Sequence, residues 1–184
     1  MQMLNQISPA PSTAKTSTDE AIDLLIGCHQ RIRHFTSVAA KLAHAQAVTH
    51  EEIRGAAEAV YRYCSVSLPL HEADEEDSLS PRLSEVNDER VQHAQAAMHD
   101  QHMAIDDLIE RLLPLLRMVG NNPATLATAG GEMCSIAKAL SEMFAAHLQL
   151  EEEVIFPAID RCLTEAARVE LVREMRDRRR QGGS

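Results

Sequence analysis

Two short runs in this 184-residue chain repeat one arrangement of reactive side chains. His71-Glu72-Ala73-Asp74-Glu75 and His147-Leu148-Gln149-Leu150-Glu151 each set an imidazole and a carboxylate four residues apart. On a helix such residues stand one turn apart on the same face and can grip one ion together. A single His-x-x-x-Glu spacing is common in Glu-rich helices. Two copies, flanked by the lone histidines His29 and His102 on other segments, point to two metal ions. His99, three residues before His102, is the supplementary or rival ligand. Four imidazoles and two carboxylates facing inward are costly in an apolar core unless they are paired or bind metal. The six can give each of two ions two nitrogens while Glu75 and Glu151 bridge the ions. Nitrogen and carboxylate donors suit iron, manganese or zinc.

Long helices must position these groups. Seven Gly, seven Pro and no Trp, against abundant Ala, Leu, Glu and Gln, predict an all-α chain. At 45% apolar content it can bury one core. Residues 1–17 are polar and aperiodic and are expected to form a disordered arm. Ser17 with Glu20 makes a capping box that opens the first helix, on which Ile22, Leu25, Ile26, His29, Ile32 and Thr36 recur at helical spacing. Thr49 with Glu52 makes a second, opening a helix through Ile53, Ala57, Val60, Cys64 and Leu68. Pro69 predicts a bend just before His71, and this helix is expected to stop near Ser80-Pro81. Glu72, Glu76 and Asp77 read as a solvated acidic face. The third helix runs from about Asp88 to Val119, its inward stripe being Gln95, Met98, His102, Ile105, Ile109 and Leu112. The fourth starts at Asn122-Pro123 and carries Phe144, His147, Glu151 and Val154 until Pro157 kinks or ends it. Short connections imply an antiparallel up-down-up-down four-helix bundle over residues 18–162. An additional C-terminal helix and basic tail occupy 163–184, where Arg173, Arg176, Arg178, Arg179 and Arg180 read as a solvated helix end.

The formal charge of −10 argues against nucleic acid as a partner. No apolar run is long enough to span a membrane, and the start lacks the order of a signal peptide. Cys28, Cys64, Cys134 and Cys162 lie far apart, as buried thiols of a reducing cytoplasm do. Cytoplasmic location is therefore expected. A thiolate ligand at Cys28, beside His29, is the lesser alternative to a buried thiol.

His29 in Cys-His-Gln-Arg-Ile-Arg, His71 to Glu75, His102 in Gln-His-Met-Ala-Ile, and His147 to Glu151 followed by Glu-Glu-Val-Ile-Phe-Pro together resemble the hemerythrin-like, or HHE cation-binding, domain. The resemblance covers about residues 18 to 162. It implies a non-haem di-iron centre, oxo- or hydroxo-bridged, inside a four-helix bundle, with His29, His71, Glu75, His102, His147 and Glu151 as metal ligands and O2, NO or peroxide as the small-molecule partner. Zinc or manganese is the less favoured metal. The oxygen-carrying members resemble a seven-ligand pattern with HxxxH on the third helix and a final Asp. Here Met98 stands four residues before His102 and the last carboxylate is Glu151. The four-His, two-Glu set is instead similar to bacterial iron-centre repair proteins and iron- or oxygen-responsive relatives, without the cysteine-bearing domain of many repair proteins. Three classes of function follow: a di-iron protein that binds or senses O2, NO or iron; a di-iron redox enzyme that reduces NO or peroxide or repairs iron centres; and a structural or zinc-binding bundle acting through partner contacts.

Overall fold

The computed structural model describes residues 17–182. The arm expected over residues 1–17, apart from the backbone of Ser17, and the side chain of the Ser17 cap lie outside the described residues. Every regular element among the described residues is helical: α1 (Ser17–Ala43), α2 (His50–Arg62), α3 (Leu68–Ala73), α4 (Ser80–Ser84), α5 (Glu89–Asn121), α6 (Leu126–Leu150), α7 (Phe156–Cys162) and α8 (Glu165–Gly182). Wide π turns at Tyr63–Ser67 and Asp74–Leu79 join α2, α3 and α4 into one arm, and another at Glu151–Ile155 joins α6 to α7. α1, the α2–α4 arm, α5 and the α6–α7 arm make the four-helix bundle. α1 packs on α2 and α6, and α5 on the same two.

Local signals start the helices where expected. Thr49 caps α2 in a complete capping box with Glu52. Asp88 caps α5 by accepting from the N–H groups of Arg90 and Val91. The three π turns share one cause. In each, the residue just before a proline donates its N–H five residues back: Leu68 to Tyr63 O, Ser80 to Glu75 O and Phe156 to Glu151 O. Pro69, Pro81 and Pro157 follow at once. A proline ring crowds the carbonyl four residues before it, and widening the preceding turn by one residue moves that carbonyl aside. The chain consequently stays helical through Ser80-Pro81 and Pro157, where the sequence suggested endings. Each proline sits in the first turn of a renewed segment, where its missing N–H has no bond to lose.

The apolar interior falls into two cores along the bundle. One is built on Ile32, Ala57, Leu112, Leu116, Met133 and Ile136, the other on Leu25, Leu79, Met98, Ile155, Ile159 and Met175. The histidines come between them in sequence on their helices, as His29 does between Leu25 and Ile32. The basic C-terminal segment departs from the expected solvated tail. α8 buries Leu171, Val172 and Met175, Arg176 pairs with Glu20, and Arg178 and Arg179 both pair with the buried Asp74. Burial of one face of α8 brings these guanidiniums over carboxylates that need partners. No helix among the described residues is long and apolar enough to cross a membrane.

Candidate metal centre

The structure brings His29 from α1, His71 and Glu75 from the α2–α4 arm, His102 from α5, and His147 and Glu151 from the α6–α7 arm into one buried cluster. Their donor atoms form two overlapping groups. His29, His71, Glu75 and Glu151 make one, and His102, His147, Glu75 and Glu151 the other, with the donors of each within 4.8 Å of one another. Each carboxylate divides its oxygens between the two. Glu75 turns Oε1 to His71 Nε2 at 3.2 Å and Oε2 to His102 Nε2 at 3.2 Å. Glu151 turns Oε2 to His29 Nε2 at 3.0 Å and Oε1 to His147 Nε2 at 3.3 Å.

These close approaches are not hydrogen bonds. His29 Nε2, His71 Nε2 and all four oxygens of Glu75 and Glu151 are buried without a hydrogen-bond partner. An unsatisfied buried polar atom costs on the order of 1–3 kcal/mol. A folded core that keeps several together in one layer therefore fits cations that accept all their lone pairs at once.

The electrostatics agree. Burial, reinforced by the positive charge that His29, His147, His102 and Arg179 would bring, holds His71 well below the ordinary imidazole range. Burial, with His102 and His29 beside it, lowers His147 to about 3. Both imidazoles are thus neutral, the form that ligates metal. Without a cation, burial pushes Glu75 well above the usual carboxylate range. Burial and the neighbouring Glu75 raise Glu151 to about 8.

Glu75 and Glu151 both lie in π turns, so Pro81 and Pro157 set the backbone that carries the shared carboxylates. Such turns recur at functional sites.

An outer layer orients the rings. Glu152 Oε1 accepts from His29 Nδ1 at 2.8 Å and from Arg33 at 2.8 Å. Glu76 Oε1 lies 2.7 Å from His102 Nδ1, and Gln101 Oε1 lies 3.1 Å from His147 Nδ1. Partners of this kind fix which ring nitrogen faces a metal. Glu76, read from the sequence as solvated, is instead half-buried against His102. The signal lay in the register His-x-x-x-Glu-Glu-x-x-x-x-Pro, which runs from His71 to Pro81 and again from His147 to Pro157. The second Glu of each copy supports a histidine from a neighbouring helix.

Two further sequence candidates lie elsewhere. His99 is 61% exposed, stands 3.3 Å from Glu76 and belongs to neither donor group. Cys28 is buried, but its Sγ faces Arg31 at 3.0 Å and Arg179 at 3.3 Å rather than the cluster. Cys28 and Cys64 are buried free thiols, while Cys134 and Cys162 are half-buried.

The fold and the buried donor set define a metal-binding helical bundle built on two histidines per group and two shared carboxylates. The family model of the Hemerythrin HHE cation binding domain matches residues 20–159, with an overlapping match at 96–183, and the chain belongs to that family. No curated protein and no solved structure matches the chain.

Proposed function

We propose that the protein is a di-iron binding protein that binds or senses O2, NO or iron. His29 and His71 would hold one ion, His102 and His147 the other, and Glu75 and Glu151 would bridge them. The observation that carries this reading is the division of each carboxylate, one oxygen toward each histidine pair. Two bridging carboxylates, hard oxygen donors beside two imidazoles per ion, suit a pair of hard redox cations. When bound, such ions supply a coordination position for a small ligand. The core next to the cluster is apolar, with the Phe144 ring 6.3 Å from that of His147. Burial raises the hydroxyl of Tyr63 above the usual phenol range, so that group stays protonated.

Metal analysis of anaerobically purified protein tests the reading. About two irons per chain is the expected result, with loss of metal in His147→Ala and Glu75→Ala and full content in His44→Ala and His50→Ala, whose side chains lie outside the cluster. Equal metal in all four variants would refute the site. Turnover of NO or peroxide under reducing conditions would move the protein to the enzyme class. A colourless, zinc-loaded protein would move it to the structural class.

A further inference from the structure

The two motifs share their His, Glu-Glu and Pro positions, and among their differences one is a buried charge. Three residues after the first histidine of each motif stand Asp74 and Leu150. Leu150 packs against the apolar core, as the register of the turn allows. Asp74 is fully buried, immediately precedes Glu75, and opens the π turn that carries it. The turn itself therefore does not demand an acid there.

What Asp74 meets is α8. Arg178 and Arg179 both pair with its carboxylate, and Arg178 also donates to Ser78 Oγ at 3.0 Å, in the same turn. α8 itself occupies a repeated place. It starts at Glu165, eight residues after Pro157, as α5 starts at Glu89, eight residues after Pro81. In that register the counterpart of the ligand His102 is Arg178, twenty-one residues after its proline. The helix that in α5 supplies a donor to the centre supplies in α8 a cation to the residue beside a donor. Its seat is largely polar. Besides Leu171, Val172 and Met175, it rests on Arg82 with Glu174 at 2.8 Å and on Arg176 with Glu20.

We propose that α8 is a strap on the metal centre, with Arg178 and Arg179 as positioning residues that fix the Glu75-bearing turn through Asp74. This rests on the metal-binding reading above for its effect on metal, though not for its effect on the turn. Removing the clamp frees the turn, lets Glu75 leave its bridging place, and opens the His71 side of the centre.

Full-length wild type, Asp74→Asn, the double variant Arg178→Gln/Arg179→Gln, and Arg176→Gln as an α8 control, which loses the pair with Glu20 on α1, separate the strap from general docking. Two readouts are needed. In metal-free protein, amide hydrogen exchange over residues 74–80 is expected to rise at least tenfold in Asp74→Asn and the double variant, with helix content unchanged and Arg176→Gln at the wild-type rate. In protein loaded with ferrous iron, transfer to a chelator is expected to quicken about tenfold in the same two variants only. Exchange and release within twofold of wild type in Asp74→Asn would overturn the proposal, as would equal effects from Arg176→Gln. Should wild type take up no iron, the metal-binding reading fails, and hydrogen exchange alone decides the strap.

Discussion

Metal-free protein is expected to lose stability as the pH rises from about 7 to about 8.5, opposite to what a salt-bridged carboxylate produces. The cause is Glu151, which burial and Glu75 raise to about 8 from an ordinary 4.5. The folded state binds this proton more tightly than the unfolded chain, so the stabilisation is complete below the unfolded value and fades as the pH climbs through the folded one. Between about pH 7 and 8.5 the loss from Glu151 alone is on the order of 1 kcal/mol, since one pK unit corresponds to about 1.4 kcal/mol. For a chain of this length that lowers Tm by about 2–5 °C. Glu75, raised well above its usual range, adds in the same sense. His147 works the other way, since its folded value near 3 makes it destabilising as the pH falls below its unfolded 6.5. That window lies lower and leaves the alkaline limb to the carboxylates. Thermal melts of metal-stripped protein followed by helical circular dichroism would measure the drop. Glu151→Gln, which has no proton to lose, should shrink it. A wild type that melts equally at the two pH values, or a Glu151→Gln variant with an undiminished drop, would refute the reasoning.

Glu152→Gln and Glu76→Gln keep their shapes but lose the charge facing His29 and His102. Each is expected to weaken iron binding by about 10–100-fold in competition with a chelator, the usual effect of an outer-layer partner. Thr49→Ala removes the hydroxyl that accepts from the Glu52 N–H, leaving the backbone half of the α2 capping box, and should cost about 1 kcal/mol, or about 2–4 °C in Tm, with metal content unchanged. Leu116→Ala, in the core away from the centre, should cost about 2–5 kcal/mol in denaturant unfolding. Iron should leave in two unequal phases, because His71 Nδ1 alone among the four outward ring nitrogens has no partner. A single phase would count against unequal rings.

The six clustered residues were legible because helical spacing carries direct geometric meaning. His71 with Glu75 and His147 with Glu151 share a face at any tilt of their helices. The bundle was legible for the same reason, from apolar stripes and the caps at Thr49 and Asp88. Two features were not. A proline reads as a stop or a kink when its own position alone is considered, and the relief at Pro81 and Pro157 came from the turn before each one. The arginines of α8 read as solvent-facing because helical spacing says which residues share a side of α8, and nothing about what that side meets. Asp74 sits 104 residues from Arg178, and the packing of α8 on α1, α3 and the Asp74–Leu79 turn brings them together.

The near two-fold repeat of the centre bears on what it can do. Ligands, bridging carboxylates and π turns are matched between the halves, so the matched features are those that assembling two ions requires. The surroundings are not matched. Glu152 is fixed by the permanent charge of Arg33, whereas Glu76 faces the exposed His99. Gln101 supports His147, while Cys28, at the corresponding place before His29, is turned toward Arg31 and Arg179. The His29 and His71 group thus joins one ring braced through Arg33 to one with no outer partner, whereas both rings of the His102 and His147 group have one. Two ions held in such a frame would differ in their freedom to change ligands, an asymmetry that the small-molecule binding proposed above would use.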